Sequence, residues 1–542
     1  MSDITMGAAG RSAGAAQPRG PDLDAKPHGS VAIIVIGLLV VGIGFVVQGL
    51  THDISAAGGP PLATTAIVLL GLALLIALGF EFVNGFHDTA NAVATVIYTH
   101  TLPAQYAVVW SGFFNFLGVL TSSGAVAFTV VSLLPVELIL QVGSGAGYAM
   151  IFALLIAAIL WNLGTWSLGL PASSSHTLIG SIIGVGLANQ LLSTGSSVSG
   201  VDWSQVWGVF KALLVSPIVG FVGAALLLLL MKAVVKSKQL YEAPDGNSKP
   251  PMWIRGLLIL TCTGVSFAHG SNDGQKGMGL IMLILIGVAP TAYALNRALP
   301  ESSTPGFIQA TQKVDGLFTA RAQNETVPAV QARGRVTQAL QEKSFNKPDV
   351  FAAMSSLARD MGAQVQGYGA IKRVPAEQVQ NVRNDMFLAS EAVRQMEKQG
   401  LAFTPEEDAV LKAWKGELDS GTKFIPLWVK VGVAVALGLG TMIGWKRIVV
   451  TVGERIGKTH LTYGQGAAAE LVAMMTIGAA DAYGLPVSTT HVLSSGIAGT
   501  MAANGSGLQW STVRSIAMAW VLTLPAAALL AGGLYFLFRQ VF

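Results

Sequence analysis

Long apolar runs broken by short polar clusters dominate the chain. Runs near or above 20 residues occur at 31–51, 64–97, 105–133, 148–168, 172–192, 206–231, 256–292, 425–445, 464–482, 487–503 and 513–538. Each is long enough, or nearly so, to cross a bilayer as a helix. The pattern predicts an all-α polytopic membrane protein with about 10–12 transmembrane segments. Two runs are interrupted: "EFVNGFHDTANAVATVIY" (81–98) and "SFAHGSNDGQKGMGLIML" (266–283) place Asn, Asp and Gly inside apolar sequence. Two others open on a repeated box, "LPASSSHT" (170–177) and "LPVSTTHV" (485–492).

Composition agrees. The chain is 52% hydrophobic and 11% charged, with mean hydropathy +0.58, whereas soluble domains carry about 25% charged residues. A net charge of +4 and the absence of a basic stripe argue against nucleic acid as a partner. The single cysteine, Cys262, excludes an internal disulfide framework. Residues 1–30 are rich in Gly, Ala and Pro and read as a disordered tail. The run 31–51 is longer than a signal-peptide core and reads as a retained span.

Half of the charge sits in one place. Segment 296–424 holds 16 Lys+Arg and 15 Asp+Glu, and reads as an inserted hydrophilic helical domain. The remaining cations set orientation. Lys232, Lys236, Lys238, Lys249 and Arg255 flank one loop, Lys446, Arg447, Arg455 and Lys458 another, and Arg11, Arg19 and Lys26 precede the first span. The positive-inside rule puts these regions and the N-terminus in the cytoplasm. Segments 52–63 and 193–205 have no Lys or Arg and fall outside, as does 296–424.

The duplicated features share one layout. Asp88 precedes Leu170 by 82 residues; Asp273 precedes Leu485 by 212, or 83 once the 129-residue insert is removed. Each half counts five crossings, so the second enters from the opposite side. This predicts two inverted-topology repeats with broken helices. The expected parts are the tail 1–30, an extra span 31–60, a first repeat 61–232, a basic loop 233–255, the start of the second repeat 256–295, the insert 296–424, and its remainder 425–542.

Ionisable residues inside a bilayer are costly, roughly 2.5 kcal/mol or more at a helix centre. Glu81, Asp88, Asp273, Lys276 and Glu470 are therefore functional candidates. Glycines at 85, 270, 274 and 277 are expected to break the helix and free carbonyls, with Asn84, Asn91, Asn272 and Gln275 adding neutral oxygens, as in a hard-cation or proton site. In each box, proline and Ser/Thr mark a helix start, whose free N–H groups and positive dipole end suit an anion. Ser173, Ser174, Ser175, Thr177, Ser488, Thr489 and Thr490 add hydroxyl donors. Two such starts from opposite sides suit a tetrahedral oxyanion; one alone is a routine cap. His176 and His491 either touch the anion or support the loop, and His87 and His269 are equally open. The histidines show no metal-ligand spacing.

These motifs, with "NGFHDTANAVATVIYTHTL" and "WNLGTWSLGLPASSSHTLIGSIIGVGL", resemble the PiT family of inorganic phosphate transporters, nearest to its bacterial low-affinity branch, over about residues 62–540. The resemblance implies symport of inorganic phosphate, coupled to protons in the bacterial branch and to sodium elsewhere, with magnesium or another divalent cation carried as a neutral metal–phosphate complex. It puts the essential aspartates at Asp88 and Asp273, the phosphate boxes at Ser173–Thr177 and Ser488–Thr490, and a further carboxylate at Glu470. Lys276 either pairs with Asp273 or attracts the phosphate. No resident cofactor or metal is implied. The expected setting is a bacterial inner membrane, with lipid around the protein and a second copy as a possible partner. Competing readings are another oxyanion such as sulfate, a passive anion channel, and a membrane hydrolase using Ser173 or Ser488; the last lacks a G-x-S-x-G elbow.

Overall fold

The computed structural model describes residues 21–23, 29–88, 90–140, 142–192, 201–244 and 249–542, with backbone alone at 29–32, 34, 90, 91 and 137. The tail 1–30 lies almost wholly outside these residues. The described chain is all-α, with no β-strand. In lipid, backbone groups must bond within the segment, and continuous helices achieve this.

The order is α1 (Gly29–Ala56), α2 (Thr64–Asp88), α3 (Ala90–Tyr98), α4 (Ala104–Thr121), α5 (Ala125–Val131), a short α6 (Val136–Leu140), α7 (Gly145–Ser167), α8 (Ser174–Leu192), α9 (Trp203–Val234) and α10 (Met252–Val288). A short α11 (Pro290–Tyr293) leads into the insert: α12 (Thr304–Arg321), α13 (Ala329–Glu342), α14 (Pro348–Tyr368), α15 (Val379–Lys398) and α16 (Pro405–Thr422). The bundle resumes with α17 (Leu427–Met442), α18 (Lys446–Glu454), α19 (Tyr463–Ala482), α20 (Thr489–Ala503) and α21 (Trp510–Phe538).

The apolar runs map onto helices within about a turn and a half. Six helices among the described residues are long and apolar enough to span a membrane alone, or up to eight if each bent pair counts as one. The figure is lower than the 10–12 runs because α20 has only 15 residues and the polar boxes dilute its apolar run and that of α8.

Helix partners follow a reciprocal pattern. α8 packs on α21 and α20 on α9; α4 packs on α10 and α17 on α2. α9 and α21 each carry one internal proline, Pro217 and Pro525. Glycines set the close approaches: a methyl on Gly118 would strike the Phe267 carbonyl, and one on Gly270 the Asn115 carbonyl. This corrects one expectation. The cluster at 266–283 does not break its helix; α10 runs 37 residues through it. Its glycines remove side chains where α4 and Glu81 press close, at about 1 kcal/mol each in helix propensity, and their carbonyls stay in the helical ladder. Breaks occur instead at the two boxes and between α4 and α5, which bend by 77°. Gly85, also expected to break its helix, lies inside α2, and residue 89, between α2 and α3, is outside the described residues.

α1 lies along α17, and the Trp428 indole donates to Asp53 at 2.8 Å. The insert has its own core, with Phe318, Met386 and Trp414 fully buried, and meets the bundle near α9 and α11.

Candidate functional site

The two boxes fold alike. α7 ends in Gly169 and α19 in Gly484, at φ +66° and +64°, the left-handed turn that glycine adopts without strain. Leu-Pro follows in extended form, and a serine caps the next helix. Ser173 Oγ accepts from the His176 N–H at 3.2 Å, and Ser488 Oγ from the His491 N–H at 3.1 Å. Both boxes are buried, so two helix starts with unpaired first-turn amides face the interior.

Asp88 joins them. Ser174 Oγ, from the first box, donates to its Oδ2 at 2.5 Å, and Thr490 Oγ1, from the second, to its Oδ1 at 2.8 Å. His87 Nδ1 lies 3.0 Å from the same Oδ1, and its Nε2 is 3.1 Å from Thr165 Oγ1. A second set of bonds ties the boxes through α10. Lys276 Nζ donates to Asp273 Oδ1 at 2.6 Å and to Ser175 Oγ at 2.5 Å, and Ser175 Oγ donates to the Val487 carbonyl at 2.7 Å. Asn272 Nδ2 donates to the Leu485 carbonyl at 3.0 Å. The His176 and His491 rings lie 4.4 Å apart, and His491 stacks on Trp520 at 4.1 Å. Thr489 Oγ1 and His491 Nε2 are buried without a hydrogen-bond partner among the described residues.

Acceptors crowd around the aspartates. His269 Nε2 is 3.3 Å from Asp273 Oδ2. One ligand atom each from Asp88, His269 and Asp273 lie within 4.8 Å of one another, a spacing that can hold a metal ion. Nearby, Asn84 Nδ2 donates to Glu81 Oε2 at 3.3 Å, while Glu81 Oε1 and Asn84 Oδ1 are buried without hydrogen-bond partners among the described residues. Glu81 packs on Gly277, where a side chain would collide with it. Of the three buried carboxylates Glu81, Asp88 and Asp273, only Asp273 has a lysine partner among the described residues. Bare buried acceptors cost about 1–3 kcal/mol each, and a cation or proton relieves that cost.

Some predicted residues do other things. Glu470 accepts from Thr95 and Thr261, away from both boxes. Gln275 is a fastener: its Oε1 accepts from the Val126 N–H at 2.9 Å and its Nε2 donates to Asp481 at 2.7 Å. Thr177 Oγ1 donates to Asn162 Oδ1 at 2.9 Å, toward α7. The Asn91 side chain lies outside the described residues. The sequence reading left out Asn115, whose Oδ1 lies 2.7 Å from His269 Nδ1, and the two threonines holding Glu470. Their one signal is polarity within an apolar helix.

Residues 84–531 match the model of the phosphate transporter family. The low-affinity inorganic phosphate transporter PitA of Escherichia coli (strain K12) is 44% identical over 491 residues, covering 87% of this chain and 97% of that protein. PitB of the same organism is 43% identical, covering 88% and 97%. A solved structure of a sodium-dependent phosphate transporter aligns with 88% of this chain and 100% of its own at TM-score 0.48 and 19% identity.

Proposed function

Because the chain belongs to the phosphate transporter family, a family of carriers and not of enzymes, we propose that it moves inorganic phosphate across the membrane together with a cation, by alternating access. The observation that carries this reading is the pair of hydrogen bonds to Asp88: one carboxylate holds a hydroxyl from each box.

An ionised carboxylate only accepts hydrogen bonds. While Asp88 is bare, Ser174 and Thr490 must donate to it and have no proton left for an anion. A proton on Asp88 occupies one of those oxygens and a metal cation one or both, so one or both hydroxyls turn to donate to a phosphate oxygen. Anion and cation loading are thereby coupled. The helix starts at Ser174 and Thr489 add backbone donors and positive dipole ends. Thr489 and His491, unpartnered and buried, supply further donors to the same anion. With both cargoes bound, opposite charges offset one another, so the loaded site crosses a low-dielectric interior more readily than a half-loaded one.

The two halves act as inverted repeats on this reading. Support comes from reciprocal packing, in which each box helix leans on the last helix of the other half, so the box helices shift relative to one another when the halves rock. The coupling ion is a proton, with magnesium carried as a neutral metal–phosphate complex. A second reading, in which a metal ion such as sodium is the coupling ion, is favoured by the Asp88–His269–Asp273 cluster. The protein sits in a bacterial inner membrane with its N-terminus in the cytoplasm, as a homodimer.

The test is labelled-phosphate uptake in proteoliposomes with proton, sodium and magnesium varied separately. Uptake driven by a proton gradient without sodium is expected. Dependence on sodium alone removes the proton and favours the second reading. Uptake indifferent to every gradient removes the carrier.

A further inference from the structure

A cavity of about 320 Å³ with charged side chains on its insert wall lies between the insert and the bundle. Thr129 of α5 and Gly279 and Met282 of α10 form one wall; α15 and α16 form the other. Gly279 is three residues beyond Lys276, a rise of about 4.5 Å along the helix. Ala125, also on the wall, adjoins Val126, which Gln275 holds to α10. The cavity therefore adjoins the carrying site on the same helix.

Its charge is unbalanced. Arg383, Arg394, Lys415 and Lys423 line it against only Glu391 and Asp419, a surplus of two positive charges. Three of the four cations have carboxylate partners: Arg394 bonds Glu391 and lies 3.4 Å from Asp202, and Lys415 and Lys423 each sit 2.8 Å from Asp419. Arg383 has none among the described residues. It is 3% exposed, its Nη1 donates to the neutral Asn384 amide at 3.2 Å, its Nε has no partner, and its guanidinium lies 4.8 Å from the centre of the Phe387 ring. Burial alone pulls this side chain down to about 10, so it stays a cation at neutral pH. A buried, unpaired guanidinium has a planar fork of donors suited to a tetrahedral oxyanion.

We propose that this cavity is a second oxyanion site, anchored by Arg383, in which inorganic phosphate waits beside the carrying site. The inference rests on the phosphate-carrier reading. Occupancy there raises phosphate concentration at the carrying site, so the cavity governs apparent affinity and leaves the crossing step alone.

Two measurements test it: equilibrium dialysis of labelled inorganic phosphate against detergent-purified full chain whose co-purified lipid is quantified, and uptake kinetics in proteoliposomes. The wild type should bind two phosphates per chain. Arg383→Gln should bind one and raise KM about tenfold, the loss of one charge-assisted hydrogen bond, with kcat within about twofold. Arg383→Lys should fall between them, because the charge remains and the fork is lost. Thr129→Glu extends a carboxylate from the membrane wall without touching the insert's core and should raise KM likewise, which keeps the test valid if Arg383→Gln fails to fold. A wild type that carries phosphate but binds one per chain, or variants with unchanged KM and stoichiometry, would overturn the proposal. So would loss from Arg383→Gln of co-purified phosphatidylglycerol with no loss of phosphate, which assigns the cavity to a lipid headgroup. A wild type that neither binds nor carries phosphate defeats the transport reading itself.

Discussion

The bundle and the insert both hold ionisable side chains, and they treat them in opposite ways. In the insert, acids commonly meet bases at the surface: Arg335 with Asp349 at 2.6 Å, Arg359 with Asp315 at 3.0 Å, Lys412 with Asp408 at 2.6 Å. Such pairs form cheaply and contribute little, with a median of about 0–1 kcal/mol. In the bundle, Glu81, Asp88, Asp273 and Glu470 are buried, and the lysine Lys276 pairs with Asp273 alone. Hydroxyls, amides and imidazoles fill the remaining positions. A fold selected only for stability would replace these groups with apolar ones. Their incomplete pairing marks the bundle as the part that exchanges partners with cargo. Arg383, in the insert, follows the bundle's rule.

The largest expected effect comes from removing this lysine, Lys276. Lys276→Met strands Asp273 as a buried charge and should cost about 3–5 kcal/mol, with a fall in melting temperature and loss of uptake. Adding Asp273→Asn should restore the melting temperature and leave uptake absent. A single variant that melts like the wild type would mean the bundle does not depend on this pair. Next is Glu470→Gln. Its partners Thr95 and Thr261 are not box residues, so uptake velocity should fall while KM for phosphate holds; a KM effect alone would move Glu470 into the anion site.

A smaller effect concerns the clamp between the two regions. Asp202 caps α9 and accepts from Gln395 of the insert at 3.0 Å. Burial would raise its carboxyl, but bonds from Gln395 and Gln205 and the Arg394 charge outweigh that and hold it below the usual aspartate value. A depressed acid stabilises the folded state above its unfolded pKa, and that contribution is lost as pH falls through the folded value. Protection factors for amide hydrogen exchange at the start of α9 and the end of α15 should therefore fall on acidification below the ordinary aspartate range, and should hold constant between pH 6 and 8. The smallest effect is at the surface: Lys412→Ala should leave uptake and melting temperature unchanged, and a measurable loss of either would erase the contrast between the regions.

Much of the fold was legible in the sequence. In lipid, an apolar run has few options but helix, so the spans could be read from their length, and the insert from its charge. The boxes were legible because proline, serine and glycine mark helix ends by local chemistry. What escaped depends on contacts distant in sequence. Polarity at 266–283 suggested a broken helix, yet α10 stays whole because its glycines answer crowding from α4 and Glu81. His269 sits one turn from Asp273 on α10; it comes near Asp88 only because α10 passes α2. Ser174 and Thr490 occupy different positions within their boxes, so their meeting on Asp88 could not be read from the repeat.

The central claim is that Asp88 links the two boxes and couples anion to cation. Gradient-driven uptake of labelled phosphate by Asp88→Asn proteoliposomes tests it most directly. The account predicts a protein present in the membrane at wild-type levels, with driven uptake reduced to background. Accumulation at the wild-type level under the same imposed gradient would contradict it.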